Sequence, residues 1–241
     1  MKVSIIVPAF NEEKLIAETL RRIQAAAVAF SEAGFESELI VCDNNSNDRT
    51  AELAQAAGAQ VVFEPINQIA RARNKGAEAA TGDWLLFIDA DSHPSPGLYA
   101  DVAAAIRTGR CLAGGSTVRL DDSRLRARVV AHAWNAISRC GKWLAGSFIF
   151  CEAAAFRQIG GFNLKFFVSE ELDLTRRLKK LAAQSRKRIV VLHRHPLTTS
   201  ARKLDLYSHR EHLRFLGKTV FRLGRTFNSA EECHIWYDGR R

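Results

Sequence analysis

RARNKGAEAATGDWLLFIDADSHPSP, Arg71 to Pro96, is the stretch on which the reading of this chain turns. Inside it Trp84 to Ile88 is a short apolar run of the kind that forms a buried strand, and it stops at two carboxylates, Asp89 and Asp91, separated by one small residue. Residues two apart on an extended chain point the same way, whereas a turn beginning at Asp89 splays them. Two local readings stand side by side. Asp-Ala-Asp-Ser ahead of His-Pro-Ser-Pro has the chemistry of a loop that caps the next helix. Carboxylate oxygens at a strand end are equally what Mg2+ or Mn2+ takes when it shares its shell with a substrate's phosphates.

Outward from this stretch the chain alternates. Ser4 to Val7 reads as a buried strand ending at Pro8-Ala9; Asn11 is expected to cap a helix with Glu12 and Glu13 in its first turn and Leu15, Leu20, Ile23, Ala27 and Phe30 along one stripe. Leu39 to Cys42 is a second strand that runs into the turn-rich Asp43-Asn44-Asn45-Ser46-Asn47-Asp48, followed by a helix that Gly58 ends. Gln60 to Phe63 is a third strand and Gln68 to Ala80 a third helix. Strands joined by helices of this length predict an α/β protein with a mostly parallel sheet flanked by helices. In such a sheet ligands sit beyond the carboxyl ends of the strands, and there Pro8, Asp43, Glu64, Asp89 and Asp91 gather. Neither GxGxxG after the first strand nor GxxxxGK[ST] anywhere is present, so a nicotinamide-type Rossmann site and a P-loop are unsupported. A nucleotide diphosphate met without a glycine cradle can be neutralised by a metal ion instead.

Composition narrows the classes. With 241 residues, 47% hydrophobic and 25% charged, the chain needs no disordered region and is long enough for one sizeable domain. MKVSIIVPAF is too short an apolar run for a signal-peptide core, and no segment approaches the roughly 20 apolar residues of a spanning helix. Cys42, Cys111, Cys140, Cys151 and Cys233 are odd in number, scattered and never CxxC, which reads as reduced thiols in a cytoplasmic protein. Residues 1–175 carry 18 basic against 21 acidic side chains, and residues 176–241 carry 17 against 5. That basic tail suits phosphate-rich partners, nucleic acid or the anionic inner face of a membrane.

Four blocks, SIIVPAFNEE from Ser4, VCDNNSNDRT from Val41, ARNKGAEAATGDWLLFIDAD from Ala72 and IGGFNLKFFVSEELDLTRRLKK from Ile159, resemble in kind and order the family 2 glycosyltransferases, which have the GT-A fold. The resemblance covers about residues 1–185. It implies inverting transfer of a sugar from a UDP- or GDP-linked donor to an acceptor hydroxyl, with Mn2+ or Mg2+ between protein and pyrophosphate. On that resemblance Pro8, Ala9 and Glu12 match the nucleotide-binding start and Asp43 the base-reading aspartate. Arg73 matches a basic residue near base or pyrophosphate. Asp89 and Asp91 match the DxD motif, the first touching ribose and the second holding the metal. Each has a plain alternative: Glu12 favours a helix N-terminus, Asp43 caps its own turn, and Arg73 lies on a solvated face.

The resemblance puts the general base at Glu171, where members commonly carry aspartate in Glu-Asp. Taken alone, acids at 170, 171 and 173 followed by Arg176, Arg177, Lys179 and Lys180 are what a dipole-compensated helix carries. Between the carboxylate sites, in a segment expected to face the acceptor, Leu112 to Val118 contains Gly114-Gly115, Ala131 to Cys140 is helix-like, and Phe148 to Phe150 is a strand; Trp143 suits either stacking on a sugar or filling core. Ile189 to Leu192 is a strand that finishes in His193-Arg194-His195-Pro196, where His195 is a candidate further metal ligand and a surface histidine pair the plain alternative. Arg202 is a candidate pyrophosphate clamp. Leu204 to Arg225 reads as a basic amphipathic helix that docks on the domain or lies on a membrane.

The expected organisation is a catalytic domain over 1–200, its nucleotide half about 1–95 and its acceptor half about 96–200, with a helical extension over 201–241. The acceptor itself is unspecified: lipid-linked, saccharide or small molecule. A sugar-nucleotide nucleotidyltransferase is the first rival, but such enzymes open with a glycine-rich basic loop where this chain has Pro8 to Glu13. A nucleic-acid-binding protein is the second; it leaves the strand-end carboxylates placed to repel phosphate, so no nucleic acid is expected.

Overall fold

The structure, a computed structural model, describes residues 1–122 and 124–200. Strands β1 (Lys2–Ala9), β2 (Glu36–Asp43), β3 (Gln60–Phe63) and β4 (Trp84–Ile88) are parallel in the order β3-β2-β1-β4. Helices α1 (Ile16–Glu32), α2 (Thr50–Ala56) and α3 (Ile69–Ala79) connect them. Val3, Ile5 and Val7 of β1 join α1 in one core; Ile6, with Leu85 and Phe87 of β4, joins α3 in the other. A strand buried on both faces has no polar side to show, so these strands read as unbroken apolar runs.

The second half extends the same sheet. After the two-residue β5 (Ser92–His93) come α4 (Pro96–Arg107), β6 (Cys111–Leu120), α5 (Leu125–Gly141), β7 (Phe148–Glu152), α6 (Ala153–Gln158), α7 (Glu170–Gln184) and β8 (Arg188–Thr199). The full order is β3-β2-β1-β4-β7-β6-β8-β5, with β7 antiparallel to both its neighbours and β5 antiparallel to β8. The reversal of β7 matters for the site: Phe148 at its start pairs with Ile88 at the end of β4, so the residues that enter β7 arrive beside Asp89. One sheet therefore carries both expected halves.

Three elements differ from the sequence reading. Asn11 does not cap α1, which starts at Ile16; it takes a left-handed φ of 53°, its N–H donates to Ser46 Oγ (3.0 Å) and its Oδ1 accepts from the Asn47 N–H (2.9 Å). It joins two loops instead. α5 begins at Leu125, six residues before the expected start, where Arg124, Arg126 and Arg128 interrupt the apolar residues. β8 does not finish at Pro196. Its ladder with β6 steps from Ser116↔Leu192 to Val118↔Leu197, so residues 193–196 bulge out and pairing resumes to Thr199. Proline's missing donor is harmless in such a bulge. Arg202 and Leu204 to Arg225 lie outside the described residues.

Candidate active site

The parallel strands supply the first wall. β1 keeps its ladder to β2 through Ala9, but its ladder to β4 ends at Ile6↔Phe87, so a crevice opens beyond that pair at the point where strand order reverses. Pro8 and Ala9 line up there with Cys42 and Asp43 of β2. Glu12 is 7% exposed, and its N–H donates to Thr50 Oγ1 at the head of α2 (2.8 Å), which ties the post-β1 loop to the post-β2 helix. Asp43, buried at the same edge, accepts from the Ser46 N–H (3.2 Å) and so also caps its own turn.

Asn44 is a residue that sequence reasoning missed. Its Oδ1 accepts the Gln68 N–H (2.9 Å), and its amide donates to the carbonyls of Glu64 (3.2 Å) and Ile66 (2.6 Å). Those bonds hold the loop that feeds α3, and α3 delivers Arg73. An Asn inside a turn-rich run carries no signal of such a role beyond its position after β2.

Arg73 is only 1% exposed. Its Nη1 donates to Glu170 Oε1 (2.5 Å), while Nη2 donates to Asp89 Oδ1 (2.9 Å) and to the Gly146 carbonyl (2.8 Å). The guanidinium carbon stands 5.2 Å from the Phe162 ring centre. Arg73 is thus neither on a solvated face nor open to a donor, as the two expectations had it. It is an internal fastener between the end of β4, the loop before β7 and the head of α7. Burial works against its charge, and the carboxylates of Asp89, Glu170 and Glu171 more than offset that, so its pKa is raised.

Asp89 and Asp91 stand in a turn closed by the Ser92 N–H on the Asp89 carbonyl (3.1 Å), and the Asp91 carbonyl accepts from the Ser200 N–H (3.2 Å). The Asp89-Ala90-Asp91 turn is therefore held against the end of β8. Two carboxylates at a strand end suit Mg2+ or Mn2+, whose shell phosphates and waters can complete. Among the described residues no group of three His, Cys, Asp or Glu could hold a metal ion, so a zinc-type site of protein ligands does not fit. His195 is not gathered to the aspartates: its Nδ1 pairs with Asp101 Oδ2 of α4 (3.0 Å), and its ring lies where a Cβ on Gly97 would stand.

At the head of α7, Ser169 adopts a left-handed φ of 67° and makes no side-chain cap bond. The turn sends the first two acids inward. Glu170 is 3% exposed and Glu171 partly buried, whereas Asp173 lies on the helix flank, paired with Arg177 (2.7 Å). The dipole-compensation reading holds for Asp173 alone. Burial first, and the neighbouring Glu170 carboxylate second, push the Glu171 carboxyl up to about 8. Burial also raises Glu170, against the pull of Arg73. A Cβ on Gly146 would touch both Arg73 Nη2 (3.4 Å) and Glu171 Cδ (3.5 Å), so the loop before β7 brings the Asp89 and Glu171 sides together. Trp143 is half-buried under Lys179, whose Nζ is 3.8 Å from the ring centre.

Comparison with known proteins agrees with this geometry. Residues 4–159 match the model for Glycosyl transferase family 2. A dolichol-phosphate mannosyltransferase of Pyrococcus furiosus is 33% identical over 124 residues, 48% of this chain and 33% of that protein. An undecaprenyl-phosphate 4-deoxy-4-formamido-L-arabinose transferase of Pseudomonas aeruginosa is 33% identical over 136 residues, 52% and 38% of the two chains. The chain thus spans about a third of the length of the curated relatives it matches. S. aureus TarS 1-349 in complex with UDP-GlcNAc superposes with a TM-score of 0.65 at 21% identity, covering 99% of this chain and 71% of that one. The mannosyltransferase PcManGT of Pyrobaculum calidifontis, in complex with GDP-Man and Mn2+, gives 0.62 at 19%, covering 81% and 56%. These likenesses establish the GT-A fold, and with the family match spanning most of the chain, the protein belongs to the family 2 glycosyltransferases.

Proposed function

We propose that this chain moves a sugar from a UDP- or GDP-linked donor to an acceptor hydroxyl with inversion, using Mn2+ or Mg2+. The observation that carries the reading is the buried cluster in which Arg73 joins Asp89 to Glu170, beside Glu171. It ties a diphosphate-facing strand end to a carboxyl of raised pKa.

Pro8, Ala9, Glu12 and Asp43 border the nucleotide in this reading, and Asp89 reaches the ribose. Asp91, with Asp89, would hold the divalent ion, which when bound neutralises charge on the departing diphosphate. Glu171 takes the proton from the acceptor hydroxyl as its oxygen attacks the anomeric carbon from the face opposite the nucleotide. The anomeric carbon–oxygen bond breaks, and its electron pair leaves with the nucleoside diphosphate. A carboxyl near pH 8 is a stronger base than an ordinary glutamate and is still ionisable near neutrality. Arg73 keeps Asp89 in place and does not touch the donor.

A second reading of the acceptor draws on the relatives, whose names carry dolichol phosphate and undecaprenyl phosphate. A phosphate oxygen attacks already ionised, and Glu171 then has no proton to remove. An arginine-lined cavity beside β6 favours this reading. We also propose that the basic segment 176–241 holds the enzyme at an anionic membrane surface; among the described residues no helix is long and apolar enough to cross one.

The test is calorimetry with a panel of nucleotide sugars, with and without Mn2+, on wild type and Asp91→Asn. Metal-dependent binding of one donor, abolished in the variant with its melting temperature unchanged, is expected. Equal affinity in the variant removes the metal role from Asp91.

A further inference from the structure

Helix α1 passes close to the turn that carries Asp89 and Asp91, and the side chain it presents there is polar. Ile16, Leu20 and Ile23 form its buried stripe, and Thr19 sits among them with no exposed surface. Inside a helix a threonine hydroxyl ordinarily bonds the carbonyl three or four residues back. That of Thr19 turns away from its helix: Oγ1 donates to the carbonyl of Ala90 (2.7 Å), 71 residues on, and also faces His93 Nε2 at 3.5 Å.

Ala90 is the middle of the Asp89-Ala90-Asp91 turn. Its carbonyl belongs to the rigid peptide plane that ends at the Asp91 nitrogen, and rotating that plane changes ψ of Ala90 and φ of Asp91, hence the direction in which the Asp91 side chain leaves the backbone. The flanking groups of the turn are bonded by backbone: the Asp89 N–H donates to the Ser147 carbonyl (3.3 Å), the Ser92 N–H to the Asp89 carbonyl and the Ser200 N–H to the Asp91 carbonyl. The Ala90 carbonyl is held by a side chain, so one substitution can release it and leave those backbone bonds in place. The bond is buried, and Ala90 is 5% exposed, so little water can replace the hydroxyl. Asp89 is secured in another way, through its carboxylate on Arg73.

We infer that Thr19 is a positioning residue for the divalent ion: by holding the Ala90 carbonyl it sets the direction of the Asp91 carboxylate that would bind the ion. The inference rests on the metal role given to Asp91 and deepens it. Thr19 has no exposed surface, so it acts through the turn and not by contact with donor or ion.

The probe is Mn2+, titrated by calorimetry into full-length protein saturated with UDP or GDP, whichever wild type binds; the same nucleotide is titrated alone in EDTA. Thr19→Val keeps the shape and loses the donor. It should weaken Mn2+ binding by about 3- to 10-fold, the effect of one hydrogen bond, and leave nucleotide affinity in EDTA as in wild type. Thr19→Ala, which is smaller than the native side chain and so fits, should show the same loss. Thr19→Ser keeps the donor but opens a gap the size of a methyl group, so it should melt earlier than wild type and still bind Mn2+ as wild type does. Wild-type Mn2+ affinity in Thr19→Val overturns the proposal, as do equal losses in the valine and serine variants, which assign Thr19 to packing alone. A fall of nucleotide affinity in EDTA that matches the fall for Mn2+ overturns it as well, because the whole crevice has then moved. Asp91→Asn is measured beside them: Mn2+ binding lost there but intact in Thr19→Val sinks this inference alone, and Mn2+ binding unchanged in Asp91→Asn sinks the metal role on which it rests.

Discussion

Arg73 holds a full charge where almost no water reaches, and its two acid partners are not equivalent. Glu170 is as buried as Arg73, whereas Asp89 keeps 25% of its side chain exposed. Glu170→Ala should therefore destabilise the fold by about 3–5 kcal/mol in urea unfolding, the range for a buried charge left with an incomplete partner set. Asp89→Asn should cost less, because water reaches that side. Glu171 behaves oppositely. Its folded pKa is raised, so between about pH 4.5 and 8 the folded chain holds a proton that the unfolded chain releases. Its stabilising contribution is complete below the unfolded value and is lost as pH rises through that window. Glu171→Gln should flatten this decline, leaving the variant more stable than wild type by about 1–3 kcal/mol at pH 8. With a hydroxyl acceptor the same variant should lose turnover by roughly 10²–10⁴-fold, together with the rise of rate towards pH 8. Unaltered turnover points to the phosphate nucleophile. Asp89 and Asp91 stand out in the sequence as acids at the end of an apolar run, whereas Glu171 stands out only through the family resemblance. Glu170 does not stand out, since its inward turn depends on the left-handed backbone of Ser169, and serine at that position signals an ordinary cap.

Helix α3 can deliver Arg73 only because it crosses β1 closely. A Cβ on Gly76 would stand 2.4 Å from Ile6 Cγ2, a fully buried methyl, so either Ile6 or the helix must shift to admit it. Gly76→Ala should thus destabilise by about 1–3 kcal/mol and weaken donor binding through Asp89. Ile6→Ala added to it should give a double variant less destabilised than the sum of the two, read from melting curves; strict additivity would mean that the helix shifts elsewhere. The strands of the first half are readable as short apolar runs closed by turn residues, and α1 by its apolar stripe. The bulge in β8 is not, since His-Arg-His-Pro looks like a strand end from either side and only the β6 register shows that pairing resumes at Leu197. The sequence shows α5 only from Ala131 because Arg126 and Arg128 interrupt the apolar residues of its first two turns.

Across the whole molecule the charge is lopsided, and the excess sits from residue 176 onward. Full-length protein should sediment with anionic vesicles at low salt, release at high salt and ignore neutral vesicles, and truncation after Arg202 should abolish the binding. Failure to sediment at low salt would leave the enzyme to an acceptor in solution. The doubly wound half of the sheet followed from strand and helix alternation, whereas the reversed strand β7 did not: a five-residue apolar run carries no mark of its direction. That reversal has a consequence for how the protein is made. A ribosome delivers β4 some sixty residues before β7, and until β7 arrives one edge of β4 is an open row of amides and carbonyls. A fragment ending at residue 145 should be held by chaperones or aggregate, while a chain whose β7 and β8 have left the ribosome should become protease-resistant in a single step, so the nucleotide half matures only when the acceptor half has emerged.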